Sequence, residues 1–600
     1  MLSIATLLSA VVVATLLLSV AVVNRLQELQ AGRDGRWQEL TRSRFVYGVP
    51  WGTLVVIAVV LAVYLFVQDG ISDVSDPVTI PYRAWSYFYP LGIATASFSH
   101  AGPGHLVSNL AGTIVAAPIA EYAWGHYPRG RDTDGDVAST RLRNRPWFRA
   151  LVVFPLAVIV VGLLTSVFAL GPVIGFSGVV FAFAAFALVH YPIVTLIATL
   201  GVQSALFTVY RALQNPIYVY VAEPSPPSAP SWAGIAIQGH ALGFFIGLVL
   251  GITLLRYRSS RPDPFRLWLA VVLYAISSGL WQIYWFGEGN SFYLFQGPGV
   301  ALVFALALVI TLAVAASDRP LVPSALERSL ARLRSEWPVD RPLEIARSSG
   351  SSVERVGEIA GGYRSARATK LSDVHRRSVA FFVVLLVLAS LVGMAIPVNV
   401  VAVDASAQSP ESAIEIEDYT IEYAEDVENE LVSDFGIDQL GDGLEASGVI
   451  VASEERRIWL EAVTAQQLGH TGEETVTVGG PGWRSIVTAE RVGWEPVGND
   501  AVYQVRLAEG SEDYHVAYES DSVQADVLVE NRTIELHSVD GEFYVEVTSA
   551  ETGTAEAAAI PVDDESTTAV GLEFEYEDGT IYATTDETAV AVASEETYDS

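Results

Sequence analysis

Ten runs of apolar residues, most of them near the length of a membrane crossing, occupy the first 400 positions of the chain. They lie near 5–23, 46–68, 105–124, 150–170, 176–190, 193–213, 233–255, 267–286, 297–316 and 378–398. About 20 helical residues cross the ~30 Å hydrocarbon layer of a bilayer, so the pattern predicts a polytopic membrane protein of ten spans. The run at 176–190 is short, which a glycine-flanked start buried in protein tolerates. After residue 400 the texture changes. Stretches such as AIEIEDYTIEY, ETVTVGG, DAVYQVRLAE, RTIELHSV and GEFYVEVTS alternate apolar and polar positions and are broken by Gly, Asp and Asn. Period-two alternation predicts antiparallel strands. The expected fold is an all-α membrane half followed by a soluble, mostly β, sandwich-like domain.

Arginine sets the expected orientation. The connections at 24–45, 125–149, 256–266 and 317–377 are arginine-rich, whereas those at 69–104, 214–232 and 287–296 hold one arginine, Arg83. Basic loops stay inside. The N-terminus and residues 399–600 are therefore expected outside. Residues 1–23 lack a basic leading segment and are followed by Arg25, Arg33 and Arg36, which reads as a retained span rather than a cleaved signal. The segment 317–377 includes SALERSLARLRSEW, with an amphipathic pattern, and reads as a basic linker resting on anionic headgroups. The loop DTDGDVAST at 132–140 spaces its carboxylates like a calcium loop. It lacks the glycine at the sixth position and has Arg143 where such loops need glutamate, so it reads as a solvated loop.

Charge sharpens the division. The chain is 51% hydrophobic yet carries a net charge of −33. Residues 401–600 hold 47 of the 68 acidic side chains and 6 of the 35 basic ones, a net −41, while residues 1–400 carry +8. Lys370 is the only lysine. A heavily carboxylated, lysine-poor surface suits a salt-saturated environment, where screening removes the repulsion among carboxylates, and the source is read as a halophile. Such acidity disfavours nucleic acid as a partner. The absence of cysteine excludes disulfides, thiol catalysis and thiolate metal sites.

Polar side chains within the apolar runs carry the candidate chemistry. Ser177 stands between glycines in GFSGVVF, at the outer start of its helix. His240 lies about seven residues into another helix that starts outside, roughly 10 Å deep at 1.5 Å per residue. His105 and Asn109, one turn apart on a third such helix, face the same way. Each has a plain reading when taken alone: a packing serine, a packing histidine, a helix cap. Together they place a serine, two histidines and an amide at one depth on three spans, and polar groups held inside a bilayer usually line a cavity or a site. A histidine can accept the proton of a serine hydroxyl and make it a nucleophile. Asn109 and His105 can join the Ser177 backbone N–H as donors to an oxyanion. Glycines at 239, 243, 247 and 251 form a stripe that lets the His240 helix lie close to a neighbour, and Gly178 and Ala182 offer a matching surface. A metalloprotease motif H-E-x-x-H is absent, and no aspartate lies within the ten runs, which argues against metal and aspartyl proteases of the membrane. No metal or organic cofactor is expected.

This set resembles the rhomboid family of intramembrane serine proteases. The resemblance rests on the run His100, His105, Asn109, on the G-x-S-G run from Gly175 to Gly178, and on the run His240, Gly243, Gly247. The spacing from Asn109 to Glu121 is similar to the family's too. Six spans from about 46 to 255 match the family's core in order, with serine on the fourth and histidine on the sixth. The resemblance implies Ser177 as nucleophile, His240 as general base, His105 and Asn109 lining the oxyanion hole, and His100 supporting the outer loop. It implies transmembrane proteins as substrates, cleaved in or near their helices close to the outer face. Two departures stand out. Trp85 is followed by Ser86 where the family often has arginine, and Phe181 replaces a tyrosine that stacks on the histidine. A catalytically inactive relative that binds transmembrane helices and controls their trafficking is the alternative. A transporter with a polar cavity is a further one, although no inverted repeat is evident.

The expected organisation is an N-terminal span and basic linker (1–44), a six-helix rhomboid-like core (45–256) and two additional spans (257–316). A basic segment (317–377), a last span (378–398) and an acidic extracellular β-rich domain (399–600) follow. NRT at 531–533 is a glycosylation sequon on the expected outer side.

Overall fold

Each apolar run contains a helix in the computed structural model, which describes residues 4–29, 41–127, 142, 145–217, 230–286, 291–316, 375–400, 412–428, 445–561, 566–585 and 588–598. The basic segment 317–374 and the loop 132–140 lie outside the described residues. The helices are α1 (Ile4–Leu29), α2 (Trp51–Val67), α3 (Pro103–Trp124), α4 (Pro146–Val167) and α5 (Ser177–His190). They continue with α6 (Pro192–Gln214), α7 (Ile237–Tyr257), α8 (Pro264–Ser277), α9 (Gln296–Ala315) and α10 (Arg376–Val400).

Ten equivalent spans were expected, but only seven of these helices are long and apolar enough to cross a membrane; α2, α5 and α8 are shorter. The 14 residues of α5 rise about 21 Å. The run 267–286 does not stay helical. Gly279 adopts a φ of +73°, which stops α8, and Tyr284–Phe286 pairs antiparallel with Phe292–Leu294.

Burial explains how so short a helix is held. Ala182, Ala184, Ala185, Ala187, Leu188 and Val189 are all buried, and a helix apolar on every side belongs inside a bundle. Small residues let its neighbours close in. A Cβ on Gly112 of α3 would strike Val180, and a Cβ on Gly247 of α7 would land on the Ala182 carbonyl.

Before α5 the chain dips into the bundle, held by the long connection 68–102. Gly175 N–H donates to Ala96 O at 2.9 Å, and Ala84 N–H to Val173 O at 3.0 Å. Gln68 clamps that connection, donating to Val78 O and His100 O and accepting from His100 N–H. Ser97 joins it to α4 through Gly162 O, Thr165 and Ser166.

The far end of the bundle is tied by charge. Glu121 is fully buried and accepts from Gly52 N–H at 2.9 Å, Thr53 N–H at 2.8 Å and the Thr53 hydroxyl at 2.7 Å, with His126 Nε2 at 2.6 Å. A carboxylate at the first turn of α2 satisfies donors that a helix start leaves free and complements its dipole. The C-terminal end of α3 takes the opposite charge: Arg258 donates to Ala123 O and Trp124 O, and Arg149 lies 4.0 Å over the Trp124 ring.

The C-terminal domain is antiparallel β throughout its named pairings. Residues Ile414–Thr464 form a four-stranded meander, Val523–Ala559 a second, and the remaining strands an eight-stranded sheet. Asp540–Gly541 and Asp578–Gly579, all at positive φ, make tight hairpins as Asp-Gly pairs do. Asn531 of the sequon sits exposed in another such turn, at φ +63°. One core joins Ile421 and Val451 to Val478 and Leu507. A second joins Ile534 and Val547 to Phe574 and Val592. The 14-residue strand Trp483–Pro496 pairs with Glu473–Gly480, Val502–Glu509 and Ala589–Glu595, linking the two.

This domain rests on the connection 68–102. Ile80 and Trp85 belong to its first core. Asp76 accepts from Thr477 and pairs with Arg484 at 3.2 Å, and Arg457 lies 4.7 Å over the Phe88 ring. The end of α10 is fixed beside it. The Asn399 amide donates to Ala169 O at 2.9 Å, and its backbone carbonyl accepts from Tyr87 N–H at 3.0 Å. The β domain therefore caps the end of the bundle at which α5 and α7 begin.

The Glu121 clamp generates a test. Glu121→Ala strands the donors of Gly52, Thr53 and His126 and is expected to cost about 3 kcal/mol of unfolding free energy. Glu121→Gln, which keeps an accepting oxygen, is expected to cost less. Denaturant titration in detergent micelles measures both, and an unchanged alanine variant overturns the clamp.

Candidate active site

The site is assembled where α5 and α7 touch. A Cβ on Gly243 would land on the Gly178 carbonyl, so the two backbones meet directly at that level. Ser177 is the first residue of α5 and His240 lies in the first turn of α7. Their side chains meet at 2.8 Å, Ser177 Oγ to His240 Nε2. The Phe181 ring, one turn below the serine, stacks on the imidazole with centroids 4.5 Å apart and planes 18° apart. It lacks the hydroxyl of a tyrosine but keeps the flat face that fixes the ring plane.

The start of α7 is pinned by Gln238. Its amide donates to Phe168 O and Leu391 O, both at 2.9 Å, and accepts from Leu170 N–H at 3.0 Å. The glycine stripe behaves as expected at Gly243, Gly247 and Gly251, where a Cβ would strike α5. Gly239 differs. A Cβ there would meet only Ala236 of its own turn, at 3.9 Å, while its carbonyl oxygen lies 3.4 Å from the Cβ position of Gly178.

From α3 come His105 and Asn109. Gly175, at a φ of +126°, lies directly under the His105 ring, where a side chain would collide with it. His100 packs edge-on to His105 with centroids 5.2 Å apart and is fully buried. Its ring packs against Tyr64 on one side and His105 on the other, so His100 meets the site through His105. The amide Nδ2 of Asn109 is buried without a partner among the described residues. It borders a cavity of about 430 Å³ that also receives His105, Ser177, His240, Gln203 of α6 and Tyr274 of α8. A buried donor left open costs free energy, and an oxyanion beside it would satisfy it.

The stretch 138–257, which spans α4 to α7 with both Ser177 and His240, matches the family model described as the rhomboid domain. That stretch is similar to rhomboid domains. The matched stretch is a fifth of the chain, and α3 with His105 and Asn109 lies before it. No curated protein and no solved structure matches the chain.

The cavity is also lined by residues beyond those expected from the sequence. Gln203 and Ser204 line the cavity from α6, just after a widened turn at Ala198–Val202, a distortion frequent at functional sites. These two and Gln238 had a visible signal, being amides and hydroxyls inside apolar runs. Tyr274 had none, since a tyrosine in an apolar helix is ordinary. Ser86 is buried where arginine was the family's habit, and the neighbouring Trp85 holds the connection by donating to Ile80 O at 2.7 Å.

The backbone contact under the site sets a contrast. Gly243→Ala is expected to cost about 2–3 kcal/mol by forcing α7 off α5. Gly239→Ala is expected to change stability by less than about 0.5 kcal/mol. Unfolding of the two variants in detergent checks this, and equal effects would remove the case for direct backbone contact.

Proposed function

We propose that the protein is an intramembrane serine endopeptidase that hydrolyses peptide bonds in or near transmembrane helices. The observation that carries this reading is the 2.8 Å contact between Ser177 and His240 at a cavity bordered by the unpartnered Asn109 amide. His240 Nε2 accepts the Ser177 proton as Oγ attacks the substrate carbonyl. The resulting oxyanion takes donors from Asn109 Nδ2, from His105 and from the backbone N–H at the start of α5, where helix donors are free. His240 then gives its proton to the leaving amine, and the acyl group on Ser177 is released by a water that His240 deprotonates. A helical substrate must unwind locally to present its carbonyl, so helix-breaking residues near the scissile bond favour cleavage.

The protein is placed as a multi-pass protein of the cell membrane. Arginine-poor connections and the β domain share the end that carries the site, which supports an active site opening to the outer face and an extracellular C-terminal domain. The acidity of that domain supports a halophilic setting. The β domain is assigned the role of holding substrates near the site.

The test is labelling with a fluorophosphonate probe in high salt and mild detergent, with the modified residue mapped by mass spectrometry. Label on Ser177 is expected, reduced about 10³-fold or more in His240→Ala. Absence of label on the folded wild type overturns the reading and favours an inactive helix-binding relative.

A further inference from the structure

We propose that Tyr274 of α8 is a positioning residue for His240, and that α8 is therefore a necessary wall of the site rather than an added span. The inference rests on the protease reading above. It concerns a helix that lies beyond the matched rhomboid domain, which ends at residue 257.

Four rings form a continuous row, His240–Phe181–Tyr274–Phe244. His240 is stacked on Phe181. Tyr274 meets Phe181 edge-on, centroids 5.9 Å apart and planes 73° apart. Tyr274 is itself stacked on Phe244 at 5.8 Å and 18°, and Phe244 lies one turn below His240 on α7. Phe181, Phe244 and Tyr274 are all buried. The row confines Phe181: α5 holds its backbone, the imidazole covers one face and Tyr274 packs against it at 73°. Without Tyr274 the phenyl ring can turn about its side-chain bonds, and the imidazole loses the surface that orients Nε2 toward Ser177. Phe181 has no hydroxyl with which to anchor itself, so the packing supplied by α8 replaces a hydrogen bond. Tyr274 also borders the cavity, with Ser277 and Ser278 at the end of the same helix, so α8 shapes the space beside the nucleophile.

The experiment uses the full chain and compares Tyr274→Leu with Tyr274→Phe. The probe-labelling rate at Ser177 is expected to fall about tenfold in the leucine variant and to stay within about twofold of wild type in the phenylalanine variant. For cleavage of a transmembrane substrate, kcat is expected to carry the loss while KM holds. A second readout does not depend on activity. The chain has nine histidines, and the imidazole resonances of His240 are identified by their disappearance in His240→Ala. Stacking on Phe181 is expected to shift them upfield in wild type and Tyr274→Phe, and that shift is expected to vanish in Tyr274→Leu. A leucine variant with wild-type labelling and an unmoved His240 resonance overturns the proposal. If wild type takes no probe, the protease reading falls, and the resonance alone decides the role of Tyr274. The His126 resonance, from the Glu121 clamp, reports whether the variant is folded. Should Tyr274→Leu misfold, Phe244→Leu removes the other ring that holds Tyr274 and carries the same expectation.

Discussion

Two helix backbones in contact are what the rest of the membrane half is built around. Where Gly243 faces the Gly178 carbonyl and Gly247 faces Ala182, no side chain separates α5 from α7. A serine and a histidine on ordinary packed helices, 8–10 Å apart at their axes, would have their separation decided by whatever lay between them. Here nothing lies between them, and the distance follows from van der Waals radii alone. Lipid supplies no hydrophobic drive for helix association, so close packing of small residues is the available source of such precision. The buried alanines of α5, Gly112 of α3 and the dip of the chain at Val173–Gly175 follow from the same requirement, because a helix gripped this closely must be surrounded.

Much of this was legible in the residues. Serine, histidine and amide at one depth on three spans predicted a shared cavity, and the glycine stripe predicted the contact that closes it. Alternating runs broken by Gly, Asp and Asn predicted the antiparallel β domain. What escaped notice did so for physical reasons. Apolar composition shows that a segment prefers lipid or protein to water but not how long its helix stays unbroken. The run 267–286 therefore read as one span, although Gly279 ends it. Gly239 belongs to the stripe by spacing, and only the structure shows that the space at its Cβ position is open. Tyr274 became visible only when its ring was seen between Phe181 and Phe244, since contacts between distant helices leave no periodic trace. Glu121 stood out by its spacing from Asn109. Its clamp on α2 and His126 is a long-range fact.

Connection 68–102 ties the two halves together. Gln68 and Ser97 fasten it to the bundle, Ile80 and Trp85 bury themselves in the β domain, and Asp76 is paired with Arg484. Charge complementarity at Asp76 is weak at an exposed position and weaker in salt. The apolar contacts of Ile80 and Trp85 depend little on screening, which suits a surface as acidic as this one.

The strand Trp483–Pro496 has one more consequence. Its early residues Val487 and Ala489 lie in the first core and Trp494 in the second, so a single continuous backbone threads both hydrophobic interiors. The two halves of the β domain are thus not independent beads on a string. A cut within those 14 residues would open both interiors at once.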